Sequence, residues 1–431
     1  MSDAKKQAWF GWCMYDWANS AFATVVLAAV LPVYFATLVP EGGAHLNIFG
    51  WRRTVPAAAL WGYAVSASMI IVAVFAPYLG ALADRRKIRR LMLMIFCLIG
   101  VGATGLLFFA GPGHYLVAAG LFVVANVGFA TSNVFYNAFL PALAQGEEMD
   151  RLSARGFAFG YIGGGLMLLL AFALIQWHPV FGFADKGLAT RAAFVLTALW
   201  WGLFAIPTFR LVKEEAFVHS PARIPQKGLH DYLRTLTDIV RYPQLLVFLI
   251  AFLFYNDGIQ TIIVVSAIFG KTELGLSQTT VLACFLVIQF VAMPGALLFG
   301  FLAERWNAKR ALTLSLLIFT GITVYAYFMR EAWEFWVLAI LVAVVLGGSQ
   351  ALSRSLFASL VPQGKEAEFF GFYSISYRFA SILGPLVFAL ITDLTGSARL
   401  SILALAGFFI IGMGLLAKVD VARGRAEART G

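Results

Sequence analysis

The sequence predicts an all-α membrane protein of about twelve transmembrane helices, built as two parallel six-helix repeats with both termini cytoplasmic. Three observations predict it. The chain has 431 residues, 61% of them hydrophobic and 13% charged, whereas a soluble domain is nearer half apolar and a quarter charged. About twelve apolar segments approach the roughly 20 residues that a spanning helix needs. A short motif, Gly80-Ala-Leu-Ala-Asp-Arg-Arg-Lys-Ile-Arg-Arg90, returns as Gly300-Phe-Leu-Ala-Glu-Arg-Trp-Asn-Ala-Lys-Arg310.

Taken in order, the expected spans of the first half are 13–38, 59–82, 91–111, 115–140, 154–177 and 192–211. Those of the second half are 244–269, 278–303, 311–328, 335–360, 369–391 and 400–417. Lys5 and Lys6 precede the first run as in a secretory signal, but the run is too long for a signal core and reads as a retained helix. Residues 1–211 and 244–431 then form the two halves. The linker 212–243 places Leu229, Tyr232, Leu233, Leu236 and Val240 on one helical face, as an amphipathic segment at the membrane surface would. Phe139-Leu-Pro141 matches Leu360-Val-Pro362, and Gly164 matches Gly384, at nearly the same offset as the motif. Parallel repeats of this kind are a transporter plan, with the site at the repeat interface.

Charge fixes orientation. The net charge is +10, which alone would admit a nucleic-acid partner. The basic residues instead fall between apolar runs. One alternate set of loops holds 22 Lys and Arg and the other holds 7, so the first set is cytoplasmic. Cys13, Cys97 and Cys284 lie in apolar segments and read as small hydrophobes.

Within the repeated motif, Gly80 lets helices approach and Asp84 can accept hydrogen bonds from a neighbouring helix N-terminus. Arg85 and Arg89 meet phosphates and carboxylates at the surface. The second copy keeps Gly300 and Arg305 but carries Glu304, Trp306 and Asn307. On these residues the chain resembles major facilitator transporters, in which this loop gates the cytoplasmic side. The segment Tyr15-Asp-Trp-Ala-Asn-Ser-Ala-Phe22 is more particular. It resembles the opening of the autophagy-linked vacuolar amino-acid effluxers and their bacterial relatives. That resemblance implies amino-acid export and residence in the bacterial inner membrane.

Polar residues are segregated among the spans. Apart from Arg210 at the end of the sixth, the third, sixth, ninth and twelfth carry nothing more polar than Cys, Ser, Thr, Trp or Tyr, as lipid-facing helices should. All the others but the second carry such groups: Asp16 and Asn19; Asn126, Asn133 and Asn137; Arg155; Asn256, Asp257 and Gln260; Gln289; Gln350 and Arg354; and Arg378. The three asparagines share one helical face, as do Gln350 with Arg354 and Asn256 with Gln260. A charge at a helix centre costs about 2.5–3.5 kcal/mol, so Asp257, Arg354 and Arg378 are candidate pathway residues, with a structural ion pair as the alternative. Arg155 could instead snorkel, and the asparagines could bond between helices. Asp16 lies roughly 35 Å from Pro40 along the helix, near the cytoplasmic interface. It reads as a gate or proton-exchange position, or as an interfacial cap with Tyr15 and Trp17 as anchors. Two acids set against three arginines would leave one positive charge over if all were buried, which points to an anionic group on the solute. Gly156, Gly160 and Gly163-Gly-Gly165 thin one face of the fifth span for packing.

The expected function is secondary transport of a small polar, anionic or zwitterionic solute by alternating access, with Asp16 or Asp257 able to carry a proton. No phosphate-binding loop followed by Lys-Ser or Lys-Thr is present. No histidine pairs with a buried Cys or carboxylate at ligand spacing, which argues against an intramembrane enzyme. A non-transporting protein of the same fold that binds a lipid, pigment or partner is the remaining class. No cofactor, metal or nucleic acid is expected, and the partners are the solute, the bilayer and protons. The expected oligomeric state is a monomer.

Overall fold

A computed structural model describes residues 2–48, 51–214, 239–276, 278–379 and 383–430. Helix α1 (Asp3–Ala21) starts at Ser2, whose hydroxyl accepts from Lys5 N–H at 3.4 Å. It runs on as a π-helical stretch, Phe22–Ala29, and then bends by 43° into α2 (Leu31–Leu38). Pro32 lies in the first turn of α2 and has no N–H to continue the ladder. The first span therefore begins earlier than residue 13 and is bent, because buried Trp9 and Trp12 extend its packed face. A hairpin that hydropathy did not suggest follows, with β1 (Ala44–Ile48) antiparallel to β2 (Trp51–Val55) and Ala44 opposite Val55.

The remaining helices are α3 (Ala57–Arg86), α4 (Arg89–Leu106), α5 (Tyr115–Ala138), the short α6 (Leu140–Leu143), α7 (Glu147–Gln176) and α8 (Lys186–Leu211). After the linker come α9 (Pro243–Leu274), α10 (Gln278–Arg305), α11 (Ala308–Phe328), α12 (Ala332–Leu360), α13 (Glu366–Phe379), α14 (Leu383–Thr395), α15 (Ala398–Lys418) and α16 (Val421–Thr430). Side-chain caps start several of them: Asp185 accepts from Leu188 N–H, Asn307 from Arg310 N–H and Ser397 from Leu400 N–H. Among the described residues, ten helices are long and apolar enough to cross a membrane, and the bent pair makes an eleventh. The expected span 369–391 falls on α13 and α14, with 380–382 outside the described residues. The amphipathic linker reading also falls largely outside them, since only 212–214 and 239–243 are described.

Contacts divide the chain into two compact units. The first is Met1–Phe75, Ile88–Tyr136 and Phe159–Lys213; the second is Ala76–Lys87, Asn137–Ala158 and Glu214–Gly431. Two pieces of the first sequence half, the end of α3 and the α5–α7 turn region, thus belong with the second unit.

The first unit is centred on Ala21, Val25, Met167, Ala171 and Ala193, with Trp200 packed alongside. Small residues let α7 lie against α1. A Cβ on Gly163 would stand 2.4 Å from the carbonyl oxygen of Trp17. Trp17 is stacked on Trp200 at 5.8 Å, so that backbone has little room to yield. Gly163→Leu is expected to cost about 3 kcal/mol, the upper end for overpacking, read as a lower unfolding temperature in detergent. The second unit is aromatic at its centre. Tyr373 stacks on Phe252 at 4.5 Å and on Phe357 at 4.7 Å. All three cysteines are buried and unpaired with one another.

Candidate solute path and basic-end gate

In the first unit, Asp16 is mid-helix and buried. Its Oδ2 accepts from the Tyr136 hydroxyl at 2.8 Å. Tyr136 is held in turn: its carbonyl accepts from Trp12 Nε1 at 3.0 Å, and its ring stacks on Trp12 at 4.5 Å. Ser2, not Asp16, caps the helix, and Tyr15 is wholly buried. The reading of Asp16 as an interfacial cap with Tyr15 as an anchor is therefore corrected, because α1 extends a further three turns beyond it. Asn19 Nδ2 donates to Asn133 Oδ1 at 2.8 Å. Asn126 Nδ2 donates to Ser68 Oγ at 2.8 Å in a fully enclosed position.

The second unit holds the other polar groups. Arg354 is buried. Its Nε donates to Ser153 Oγ at 2.9 Å, one terminal nitrogen to the Ser153 carbonyl at 2.8 Å and the other to Asn137 Oδ1 at 3.4 Å. The guanidinium also lies 4.1 Å from the Phe157 ring centroid, close enough for a cation–π contact. Beside it, buried Asp150 Oδ1 accepts from Ser355 Oγ at 2.5 Å. On α9, Gln260 Nε2 donates to the Tyr377 hydroxyl at 2.9 Å, and Asn256 Nδ2 to the Tyr377 carbonyl at 3.3 Å. Asp257 Oδ2 accepts from Gly384 N–H at 2.8 Å.

The asparagines that share a face in sequence thus reach three separate partners: Ser68, Asn19 and Arg354. Exposure sorts the candidates further. Asn133, Asn137, Gln260, Gln289 and Gln350 are half-buried within apolar helices, and Tyr377, on α13, is exposed. Lipid cannot solvate an unpaired carboxamide or phenol, so their exposure makes these groups the candidates for a wetted surface. Asn126, Asn256 and Arg354 are enclosed and act through other side chains. Arg155 is exposed, close enough to Glu304 to act on it electrostatically. The side chain of Arg378 lies outside the described residues. Exposed Arg155 and the additional buried charges Asp150, Arg89, Glu366 and Glu368 overturn the premise of the charge tally. The surplus positive charge inferred from sequence carries no argument.

Residues 80–87 of the repeated motif and the whole of its second copy also fall within the second unit. Asp84 Oδ1 accepts from Ala367 N–H at 3.1 Å and its Oδ2 from Glu368 N–H at 2.9 Å. These are first-turn N–H groups of α13, which have no partner inside their own helix. Gly80 makes this approach possible, since a Cβ there would stand 2.3 Å from the Ala367 carbonyl oxygen. In the second copy, Gly300 faces Ala154, and Glu304 pairs with the Arg151 side chain at 2.5 and 2.9 Å. The longer Glu takes a guanidinium where Asp takes backbone. With Arg151 about half exposed, that pair contributes at most about 1 kcal/mol. Arg85 is half-buried, Arg89 is buried in the first unit, and Arg305 lies 4.7 Å over the Phe301 ring.

Sequence reasoning passed over Asp150, Ser153, Ser355, Tyr136 and Tyr377. Among the described residues, no group of three or more His, Cys, Asp or Glu side chains is placed to hold a metal ion.

Comparison with known proteins places this geometry. The family model described as "Vacuole effluxer Atg22 like" matches residues 4–429. The MFS-type transporter YxiO of Bacillus subtilis (strain 168), itself uncharacterized, is 38% identical over 95% of this chain and 94% of its own. Autophagy-related protein 22 of Coccidioides immitis (strain RS) is 23% identical over 97% of this chain and 87% of its own. Among solved structures, the Major Facilitator Superfamily transporter FucP in an outward conformation superposes with a TM-score of 0.67. It is 12% identical and covers 96% of this chain and 98% of its own. That likeness shows the fold, which is the major facilitator fold.

Proposed function

We propose that this chain, a transporter that belongs to the Vacuole effluxer Atg22 like family, carries small polar solutes of the amino-acid class out of the cytoplasm by alternating access. It is a multi-pass protein of the bacterial inner membrane and not an enzyme. The observation that carries the reading is the set of half-exposed carboxamides inside apolar helices, Asn133, Asn137, Gln260, Gln289 and Gln350, with exposed Tyr377. Such a surface needs water, and neutral donors and acceptors of this kind suit a zwitterion. The direction comes from the family's name, and the amino-acid class from the likeness of Tyr15–Phe22 to amino-acid effluxers. The Lys/Arg bias makes the basic end, with its Asp84 and Glu304 contacts, the cytoplasmic one. There those contacts act as the gate.

Flux of a labelled amino-acid mixture from liposomes carrying the purified full chain tests this. Protein-dependent release of at least one amino acid is expected. Folded protein that releases none would remove the substrate assignment.

A further inference from the structure

We infer that Asp257 is the site that binds and releases the transported proton, and that its load is read out at the start of α14. This rests on the transport reading above and adds the coupling ion and the residue that carries it.

The two repeats supply an internal control. In the first unit, α1 and the π-helical stretch that continues it meet α7 at Ser20, Thr24 and Gly164. Thr24 Oγ1 donates to the Ser20 carbonyl at 3.0 Å and to the Gly164 carbonyl at 3.1 Å. A Cβ on Gly164 would lie 2.9 Å from Thr24 Cγ2 and 3.2 Å from Ser20 Cβ. In the second unit, α9 meets α14 in the same way. Thr261 Oγ1 donates to the Asp257 carbonyl at 2.7 Å. A Cβ on Gly384 would lie 1.9 Å from Thr261 Oγ1 and 3.0 Å from Asp257 Oδ1. The threonine follows by one turn in both copies, so Asp257 stands where the first repeat has Ser20. At this glycine the crossing is thus built once without a carboxylate, Asp16 lying one turn earlier against Gly160, and the glycine–threonine packing alone does not explain the one present.

Its environment does not explain it as an ion pair either. Asp257 is 1% exposed. Its Oδ2 accepts from Gly384 N–H, while its Oδ1 is enclosed and has no hydrogen-bond partner among the described residues. The helices packed on α9 bring few titratable groups. Apolar α15 presents Phe409 to Gly258 and carries Arg399 and Lys418 only at its ends. Asp393 lies near the far end of α14, and Glu366 and Glu368 open α13. Tyr377 is engaged by Gln260, and Arg354 by Ser153 and Asn137. α10 contributes Glu304 and Arg305 at its far end, and α16 only end-of-molecule charges. None of these bonds to Asp257. The side chain of Arg378 lies outside the described residues.

A carboxylate oxygen enclosed with neither donor nor counter-charge among the described residues is costly. A divalent metal would need several more oxygen ligands. A proton needs only the one oxygen. In the step proposed, Oδ1 takes a proton from water on one side, forming one O–H bond, and returns it to water on the other by breaking that bond. Loading also turns the charge-assisted bond from Gly384 N–H into a weaker neutral one, which loosens the tie between α9 and α14.

A capping role for α14 is the rival explanation, and Asp257→Asn separates the two. Asn keeps an acceptor for Gly384 N–H but cannot carry the proton. The first measurement is pH-difference infrared spectroscopy of full-length protein in lipid, with no solute present. The protonated-carboxyl C=O band of wild type is expected to be lost in Asp257→Asn and restored, shifted, in Asp257→Glu. The same spectrum in wild type and Asp257→Asn would overturn the proposal. The second is uptake of the labelled amino-acid mixture across an imposed pH gradient. Its dependence on the gradient is expected to vanish in Asp257→Asn and return in Asp257→Glu, and an unchanged gradient response would also overturn the proposal. If wild type moves no amino acid, the substrate assignment fails, yet the infrared result still decides the proton site.

Discussion

Arg354→Ala is expected to abolish transport and to lower the unfolding temperature more than any other single change considered. Arg354 is the centre of a buried cluster, with three hydrogen bonds to Ser153 and Asn137 and a ring contact with Phe157. Truncation leaves buried Ser153 without two donors and half-buried Asn137 without one. Buried hydrogen bonds to a charged group contribute about 1.5–3 kcal/mol each, and breaking such a cluster from one side costs about 3–5 kcal/mol in all. Arg354→Lys should recover little, because a single ammonium cannot reproduce the planar fork that meets Ser153 twice. Thermal unfolding in detergent checks the stability loss and liposome flux checks function. A variant as stable as wild type would show that the cluster is not a structural keystone.

Asp84→Ala is expected to leave the fold intact and bias the protein toward a state open at its basic end. Asp84 satisfies two first-turn N–H groups of α13. Loss of such a cap costs about 0.5–2 kcal/mol. That cost falls only on the state in which α3 and α13 touch, so the open population should rise by roughly 2- to 30-fold at 1.4 kcal/mol per decade. The readout is maleimide labelling of a cysteine at Ser359, a half-buried position at this end, in a background lacking Cys13, Cys97 and Cys284. Faster labelling in Asp84→Ala is expected. Asp84→Asn, which keeps one acceptor, should lie between. Unchanged labelling in both would remove Asp84 from the gate.

Much of this architecture was legible because lipid imposes a simple code. Apolar length gave the helices, and the Gly80 and Gly300 motifs gave the repeat. The motif also suggested what Asp84 would do, since an acceptor at that place has helix N-termini to meet. Partnerships across some 200 residues were not legible. Asp150 lies in the first turn of α7, where an acidic residue ordinarily needs no explanation beyond the helix dipole. Nothing in the sequence pairs it with Ser355. Tyr136 and Tyr377 were passed over because tyrosine is common in membrane helices. The bend after Ala29 follows from a π-helical stretch and Pro32, and a hydropathy window averages over both. The charge tally failed for a related reason. Arg155 counts as intramembrane by position, yet it is exposed beside Glu304.

The central claim is that the half-exposed polar groups inside apolar helices face water and the solute, not lipid. Gln260 tests it most directly, since it lies mid-helix in α9 and its amide reaches Tyr377. The measurement is the labelling rate of Gln260→Cys, in the cysteine-free background, by a membrane-impermeant maleimide, with and without the transported amino acid. The account predicts ready labelling that the solute slows. A cysteine inert to this reagent but reactive to a lipid-soluble one would place residue 260 against the bilayer and contradict it.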